Sequence, residues 1–339
     1  MRDSAEVVTL GHGSGGRLTH DLIEKVIIPA LHDGQGAPAM EDSAIFTAPS
    51  TALSFTTDSY VVTPCFFPGG NIGDLAVNGT INDLAMSGAE PLALSMGLIL
   101  EEGFLMEELR AIMKSMGEAS RLAGAPLVCG DTKVAPRGKA DKIFINTSGV
   151  GVRPGGREVH SGGARPGDVV IINGTVGDHG IAVMSVREGL RFDAPVKSDT
   201  AALHTLVRAL FDGGVQIHAM RDPTRGGLAT TMLEIAADSG AWIRLDEGAI
   251  PMSRAVAGAC ELLGLDPLTV ANEGKMIAVV PEKDAAKALS IMQAHPLGRE
   301  AAVIGRVTGT GKGRVTTTSL VGGERVMTMP HGEILPRIC

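Results

Sequence analysis

The stretch FFPGGNIGDLAVNGTINDLAMSGA, residues 66–89, decides the fold of the first half of the chain. Its centre predicts a helix that begins after Asn71, whose side chain suits a helix N-cap, and that ends at Gly88. Three polar side chains recur at intervals of four along this helix: Asp74, Asn78 and Asn82. They form one stripe, which is either a solvated face or the wall of a site.

Helices and strands are predicted on both sides of this stretch. Residues 16–31 and 105–124 carry aliphatic and methionine side chains at helical spacing, so each predicts a helix with one core-facing side. Short runs of apolar and β-branched residues predict strands at 52–62, 91–100, 126–131 and 142–152.

A loop rich in glycine and proline at 153–165 interrupts this pattern, and strands and helices then resume. We therefore predict an α+β protein with two domains, at 1–155 and 156–319. The remaining segment, 320–339, carries glycine and proline without helical periodicity and predicts a flexible tail. It ends in Cys339, a thiol with no following chain to pack against.

Composition narrows the possible classes of protein. The 339 residues carry a formal net charge of −8 and 3% aromatic residues, which argues against a nucleic-acid partner. No apolar run is long enough to span a bilayer and no signal peptide is evident, so we expect a cytoplasmic protein with no membrane partner. The four cysteines are too scattered for a zinc cluster or a disulfide framework: Cys65, Cys129, Cys260 and Cys339.

Three glycine-rich stretches suggest nucleotide binding, each with a defect. GHGSGG (11–16) has dinucleotide-loop spacing, but no second strand ending in an acid follows it. GTGKG (309–313) lacks the Ser or Thr of a phosphate loop, and GTVGDHG (174–180) predicts a turn before a helix. Any of the three could still offer backbone N–H groups to phosphate oxygens.

Acidic residues at the ends of predicted elements are a stronger chemical signal: Asp42, Asp58, Asp83 and Asp131. Asp58 and Asp131 each follow an apolar strand, a position where a rigid scaffold aims a side chain. Each acid alone would be a turn or capping residue, but four in one half-domain indicate a site for Mg²⁺ and phosphate. Lys133 and Glu273 supply possible proton-transfer groups, although a lysine beside an acid is more often a structural ion pair.

A set of motifs spread over the whole chain belongs together: HGSGG (12–16), TTDSY (56–60), the opening stretch, GDTKV (130–134), FINTSGVG (144–151), GDHG (177–180), RDPTRGG (221–227), CELLGLDPL (260–268), ANEGK (271–275), HPLG (295–298) and the terminal PRIC (336–339). In combination they resemble the HypE family of hydrogenase maturation factors, a branch of the PurM-like superfamily of ATP-dependent enzymes. The resemblance implies a PurM-like two-domain fold and a homodimer in which the sheets of the first domains pair into a barrel-like interface.

The resemblance also implies an ATP site. The carboxylates that would serve Mg²⁺ and the phosphates are Asp42, Asp58, Asp83 and Asp131. The residues that would bind the nucleotide are His12, Gly13, Ser14, Gly15, Gly16, Asp58, Asn82 and Asp131. Cys339 would carry the substrate, and Lys133 and Glu273 would lie near it, either of them as the general base.

The reaction implied by the resemblance is an ATP-dependent dehydration. A HypF-type carbamoyltransferase would load a carbamoyl group on Cys339, and this chain would convert it to a thiocyanate. The cyanide would then pass to iron held by a HypC–HypD complex, for a nickel–iron hydrogenase.

Two other hypotheses remain. One is another enzyme of the superfamily, such as a selenophosphate synthetase, which would be expected to carry a reactive Cys or selenocysteine near its N-terminus; here the first cysteine is Cys65. The other is a non-catalytic carrier that only presents the loaded Cys339 to partners.

Overall fold

The computed structural model describes residues 7–9, 12, 21–31, 52–190, 196–319, 322–329, 335 and 337–339. Several predicted site residues lie outside the described residues: Gly13, Ser14, Gly15, Gly16 and Asp42. No helix in these ranges is long and apolar enough to cross a membrane.

The described residues of the first domain form six strands: β1 (Leu53–Tyr60), β2 (Phe66–Phe67), β3 (Gly70–Asn71), β4 (Glu90–Glu101), β5 (Leu127–Ala135) and β6 (Ile143–Val152). Four of them form one sheet in the order β1-β6-β4-β5, antiparallel except for the parallel pair β4 and β5. All four predicted strands are confirmed. The position of two acids within them was wrong, because Asp58 and Asp131 lie inside β1 and β5 rather than after them. Both strands continue because each still has a neighbouring strand to pair with at these residues.

The helices of this domain cover one face of the sheet. They are α1 (Ile28–Leu31), which follows a π-helical segment Ile23–Ile27, α2 (Ile72–Met86) and α3 (Met106–Ala123). Helix α2 begins as predicted: Asn71 accepts a hydrogen bond from the backbone N–H of Gly73 at 2.8 Å, and Asp74 accepts one from the N–H of Asn71 at 2.7 Å. These reciprocal bonds satisfy N–H groups that a helix start leaves without partners.

Helix α3 packs as its periodicity predicted. Its core-facing side chains are fully buried: Leu109, Ile112, Met113 and Met116. It covers α2 from outside, so α2 is enclosed and most of its residues are buried.

The other face of this sheet is open. Phe55 is 69% exposed and Ile99 45% exposed, although both are large apolar side chains within strands. Cys129, Asp131 and Lys133 alternate onto this same face of β5, since Asp131 pairs with Gly97 and Lys133 with Ile99. The sheet does not close on itself within the described residues.

In the part of the second domain that the structure describes there are seven strands: β7 (Val169–Ile172), β8 (Ala219–Arg221), β9 (Ala241–Asp246), β10 (Ile277–Val280), β11 (Ala302–Thr310), β12 (Arg314–Thr318) and β13 (Glu324–Val326). They form one sheet in the order β13-β12-β9-β11-β7-β10-β8, in which only β9 and β12 are parallel. Its helices are α4 (Asp178–Arg187), α5 (His204–Asp212), α6 (Gly227–Ser239), α7 (Arg254–Leu263) and α8 (Glu282–Ala294).

The C-terminal segment differs from a plain tail in two places. Strand β13 pairs antiparallel with β12, so the second sheet extends beyond the predicted domain end at residue 319. Farther on, Ile338 is 2% exposed and belongs to the apolar core of the first domain. The described end of the chain is therefore packed against protein.

The two domains are joined through the polar stripe of α2. The Asn82 amide donates to the backbone oxygens of Ala201 and Glu273 at 3.0 and 3.1 Å, and its oxygen accepts from the N–H of Leu203 at 2.8 Å. One turn earlier, Asn78 donates to the Thr200 hydroxyl at 3.2 Å. Asn78 and Asn82 therefore form part of the domain junction, whereas Asp74, the first member of the stripe, bonds to Asn71 and Ser115 within the first domain.

We expect Asn82→Ala to lower the free energy of unfolding by about 3 kcal/mol, because three buried backbone groups would lose their partner. Asn78→Ala, the matched control on the same helix, removes one hydrogen bond and should cost about 1 kcal/mol. Urea unfolding followed by circular dichroism measures both. Equal midpoints for Asn82→Ala and the unaltered protein would show that the junction does not depend on this amide.

Candidate active site

The last residue of the chain enters a small cavity between the two domains. The cavity has a volume of about 30 Å³, roughly the space of two water-sized groups. Its charged and reactive lining residues come from both domains: Asp58, Asp83, Asp222, Arg225, Glu273 and Cys339. Tyr60, Gly79 and Thr224 complete the wall.

Glu273 is the most deeply buried acid of the cavity, at 3% exposure. It lies in the loop before β10, where its backbone N–H donates to Asp199 at 3.1 Å. Burial, and then the nearby Asp199 carboxylate, raise the pKa of Glu273 well above its ordinary value. Its Oε1 atom is buried and has no hydrogen-bond partner among the described residues. Such an atom is available to a substrate group.

The thiol of Cys339 lies beside Glu273. Burial, and then the Glu273 carboxyl, raise the pKa of this thiol well above its ordinary value. A thiol with a raised pKa holds its proton and is a weak nucleophile. The docked Cys339 is therefore not activated to attack a carbamoyl donor in this position.

Further carboxyls face the same cavity. Burial raises the pKa of Asp83, although the Thr56 hydroxyl donates to it at 2.8 Å. Asp222, in the loop after β8, has its pKa raised to about 7 by burial and then by Asp83. Among the lining residues only Arg225 brings a positive charge. The cavity thus holds an excess of acidic groups that favour an added cation or proton.

A second cavity of about 410 Å³ opens on the exposed face of the first sheet. Its polar lining includes Asp131, Lys133 and Asn146, and its apolar lining includes Leu98 and Phe144. Both its volume and its mixture of apolar walls with a few polar groups are typical of small-molecule sites. It shares Ser59 and Tyr60 with the cavity around Cys339, so the two cavities are neighbours.

The predicted site residues therefore fall into groups. Asp58, Asp83, Glu273 and Cys339 share the small cavity, whereas Asp131 and Lys133 line the larger one, where they form an ion pair at 3.4 Å. The Asn82 amide is committed to the domain junction. His12 bonds through Nδ1 with the N–H and hydroxyl of Thr9, at 3.0 and 2.9 Å. The roles assigned to these residues remain predictions.

Sequence reasoning missed three groups of the small cavity: Tyr60, Asp222 and Arg225. The motif RDPTRGG was noticed, but no spacing rule linked its aspartate and arginine to acids of the first domain. Tyr60 ends β1 and packs under Gly79 of α2, where an added Cβ would approach its hydroxyl within 2.0 Å. That close approach requires glycine at position 79.

The carboxyls of the small cavity fit a hard cation in chemistry, since Mg²⁺ prefers oxygen ligands and shares them with phosphates. In the described part of the chain, no three acidic, histidine or cysteine side chains are placed to hold one ion between them. A cation here would need oxygen atoms from a bound substrate as well.

Comparisons with known proteins define the class first. The family model for the AIR synthase related protein N-terminal domain matches residues 40–153, and the corresponding C-terminal model matches residues 165–318. The chain is thus a two-domain AIR synthase-related, or PurM-like, α+β protein.

Relatives over the full length then define the family. The chain is 54% identical to the carbamoyl dehydratase HypE of Rhizobium leguminosarum bv. viciae, over 98% of this chain and 95% of that protein. It matches a crystal structure of hydrogenase maturation protein HypE in complex with ATP with a TM-score of 0.93, at 46% identity, over 98% of this chain and 99% of that one. It also matches a HypE–HypF complex structure with a TM-score of 0.79, at 44% identity, over 93% of this chain and 100% of that one. The chain belongs to the HypE family.

The acidic cavity predicts a pH dependence of stability. Asp222 has a pKa of about 7 in the folded protein and about 4 in the unfolded chain. Between these two pH values the folded protein therefore keeps a proton that the unfolded chain releases. Stability of the nucleotide-free, metal-free protein should therefore fall as the pH rises from about 4 to about 7.

Asp222→Asn should flatten this decline and raise the melting temperature at pH 8 by a few degrees. Thermal unfolding across this pH range measures it, and Asp238→Asn on the exposed side of α6 is the control. If the two variants show the same pH dependence, Asp222 is not the acid whose raised pKa causes the decline in stability.

Proposed function

We propose that the chain dehydrates a carbamoyl group carried on the Cys339 thiol, at the expense of ATP, and leaves a thiocyanate. The observation that carries the proposal is the position of the terminal thiol, which lies between the domains beside the buried, partly unpaired Glu273 carboxyl. A thiol that only travelled to partners would not need an acid placed in this way.

The chemistry requires both phosphate and a base. In R–S–C(=O)–NH₂ the oxygen is a poor leaving group until ATP transfers its γ-phosphoryl group to it. The C–O bond then breaks with loss of inorganic phosphate, two protons leave nitrogen, and the products are R–S–C≡N, ADP and phosphate. Phosphoryl transfer depends mainly on positioning and on neutralising charge.

The two neighbouring cavities suit these two requirements, one for the phosphate and one for the base. The larger cavity would hold the nucleotide, with Lys133 and Asp131 near its phosphates. Asp58 and Asp83 in the small cavity would bind Mg²⁺ together with phosphate oxygens. Asp131 in the larger cavity, and Asp42 outside the described residues, would serve the metal and the phosphates from there. The bound cation would neutralise charge on the phosphates during transfer.

Glu273 is the better candidate for the general base. It shares the small cavity with Cys339, whereas Lys133 lines the neighbouring one and is paired with Asp131. Burial raises the pKa of the Glu273 carboxyl, so its ionised form is a stronger base than an ordinary carboxylate. Lys133 would instead contact the transferred phosphoryl group.

Loading and delivery would take place outside the cavity. The docked thiol is not activated, and about 30 Å³ leaves no room for another protein. A HypF-type carbamoyltransferase would therefore act on the undocked, flexible tail, and a HypC–HypD complex carrying iron would receive the cyanide there. Tail flexibility, in this proposal, is what connects the partners with the active site.

The open face of the first sheet supports a homodimer. Phe55, Ile99 and neighbouring strand residues leave an apolar surface exposed, and such surfaces mark contact sites. Two copies pairing these sheets would give the barrel-like interface and would cover the larger cavity.

A first test separates the substrate carrier from the general base. Cys339→Ala should bind ATP normally but accept no carbamoyl group. Glu273→Gln should bind ATP and accept the group, yet dehydrate it at least 100-fold more slowly, the usual contribution of a general base. Intact-protein mass spectrometry after loading and then adding ATP follows the loss of one water. Dehydration at the normal rate by Glu273→Gln would require another base.

A second test concerns the cation. Asp83→Asn removes one carboxylate from the cavity, so the Mg²⁺ concentration needed for half-maximal ATP hydrolysis should rise at least tenfold, because a charged ligand is lost. The exposed Asp238→Asn is the control and should leave it unchanged. An unaltered Mg²⁺ requirement in Asp83→Asn would exclude this carboxylate as a ligand.

A further inference from the structure

The terminal residues are held in the cavity chiefly by their main chain. The main-chain oxygen of Cys339 accepts from the N–H of Val61 at 3.2 Å, and that of Arg337 accepts from the N–H of Thr63 at 3.1 Å. The tail therefore lies along the segment that follows β1 in the opposite chain direction, with a turn at Arg337, whose φ is 51°. The carbonyl of Ile338, between these two, accepts from Nε2 of His179 at 2.8 Å. Main-chain oxygens of three consecutive residues are thus bound.

Helix α4 supplies the side-chain donors from its two ends. His179 lies in its first turn, and Arg187 is its last residue. One guanidinium nitrogen of Arg187, Nη2, donates to the Arg337 carbonyl at 2.7 Å, and Nε donates to the Thr63 carbonyl at 2.9 Å. Arg187 therefore ties the tail to the strand segment beside it.

The tautomer and orientation of His179 are fixed. A carbonyl can only accept, so Nε2 must carry the hydrogen, and Nδ1 then accepts from the Ser198 hydroxyl at 2.8 Å. The ring is fully buried and meets Phe67 edge-to-face, with centroids 5.3 Å apart. Burial lowers the pKa of His179, in agreement with a neutral ring. A neutral, oriented donor of this kind suits one carbonyl at one place.

The Ile338 side chain sets the register. It is 2% exposed and packs in the same core cluster as Val183 of α4 and Ala271 of the loop before Glu273. The next residue, Cys339, lines the small cavity, so the burial of Ile338 in the core accompanies the entry of Cys339 into the cavity.

We propose that His179 and Arg187 are positioning residues that bind the main-chain carbonyls of the tail, while Ile338 fixes the register that places Cys339 beside Glu273. Their assigned purpose, presenting the thiol for dehydration, rests on the proposed function. Because the bound atoms are carbonyl oxygens, the sulfur is free to change. The same dock accepts the tail with a free, carbamoylated or cyanated thiol.

The four free cysteines provide an internal readout of docking: Cys65 and Cys260 are buried, Cys129 is exposed, and Cys339 is partly buried. The protein is treated with N-ethylmaleimide and each cysteine peptide is quantified over time by mass spectrometry. In the unaltered chain, Cys339 should react slowly compared with the same cysteine in the urea-unfolded chain. His179→Phe keeps the ring but loses the donor, and Arg187→Gln loses the bond to Arg337. Each should accelerate Cys339 modification about three- to tenfold, the effect of losing one hydrogen bond.

The controls separate positioning from loss of fold. His179→Gln, whose amide can donate in place of Nε2, should restore slow modification, and Ile338→Leu should stay closer to normal than Ile338→Ala. Cys260 is buried, so its reaction with N-ethylmaleimide reports on unfolding. If Cys260 becomes reactive in His179→Phe, the comparison uses Arg187→Gln instead, which removes a bond at the other end of helix α4. Carbamoylated His179→Phe should dehydrate more slowly at saturating ATP with unchanged ATP affinity.

Two results would overturn the proposal: modification of Cys339 in the folded, unaltered chain as fast as in the urea-unfolded chain, or unchanged Cys339 rates in both His179→Phe and Arg187→Gln. Because alkylation needs neither ATP nor a carbamoyl group, it tests the dock independently of the reaction. Absent dehydration in the unaltered, carbamoylated chain would refute the proposed function while the docking result stood.

Discussion

Helix α2 has protein on every side, and this burial obliges each of its polar side chains to find a partner, since an unpaired buried polar group is costly. Asp74 closes the helix start with Asn71, and Thr80 bonds to Thr147 of the sheet at 2.6 Å. Asn82 reaches across to the second domain. Asp83 bonds to Thr56 at the cavity wall. The requirement that holds the domains together therefore also places an acid in the wall of the small cavity.

The cavity beside this helix gathers carboxyl groups whose ionised forms are energetically unfavourable there. Burial and mutual repulsion raise the pKa values of Glu273, Asp222 and Asp83, which means that their ionised forms are disfavoured in the empty protein. Such clusters are common where a cation or a reacting group supplies the missing partner. The acids lower stability at neutral pH, but they leave the cavity with oxygen ligands that can bind a cation or a proton. The packing of both domains around α2 stabilises the protein enough to tolerate this cost.

Individual helices were predictable because each depends on residues that are close together in the sequence. The capped start of α2 and the buried stripe of α3 follow from a capping residue and a 3.6-residue period. Strand ends were predicted less well, since polar residues on an open face do not stop a strand whose neighbour continues. The face that Asp131 occupies depends on its pairing with Gly97, a register no local spacing contains. The approach of Asp222 to Asp58 depends on domain packing across more than a hundred residues. Residue patterns alone reached only a magnesium–phosphate hypothesis, and the family resemblance supplied the reaction.

The docked end of the chain is held without using its last side chain. The main-chain oxygen of Cys339 accepts from the N–H of Val61, and its side chain lines a space of about 30 Å³. The other anchors precede it, namely the buried Ile338 side chain and the carbonyls bound by His179 and Arg187. Main-chain bonds of modest strength suit the proposed reaction, in which the group on sulfur changes while the contacts that hold the segment stay the same.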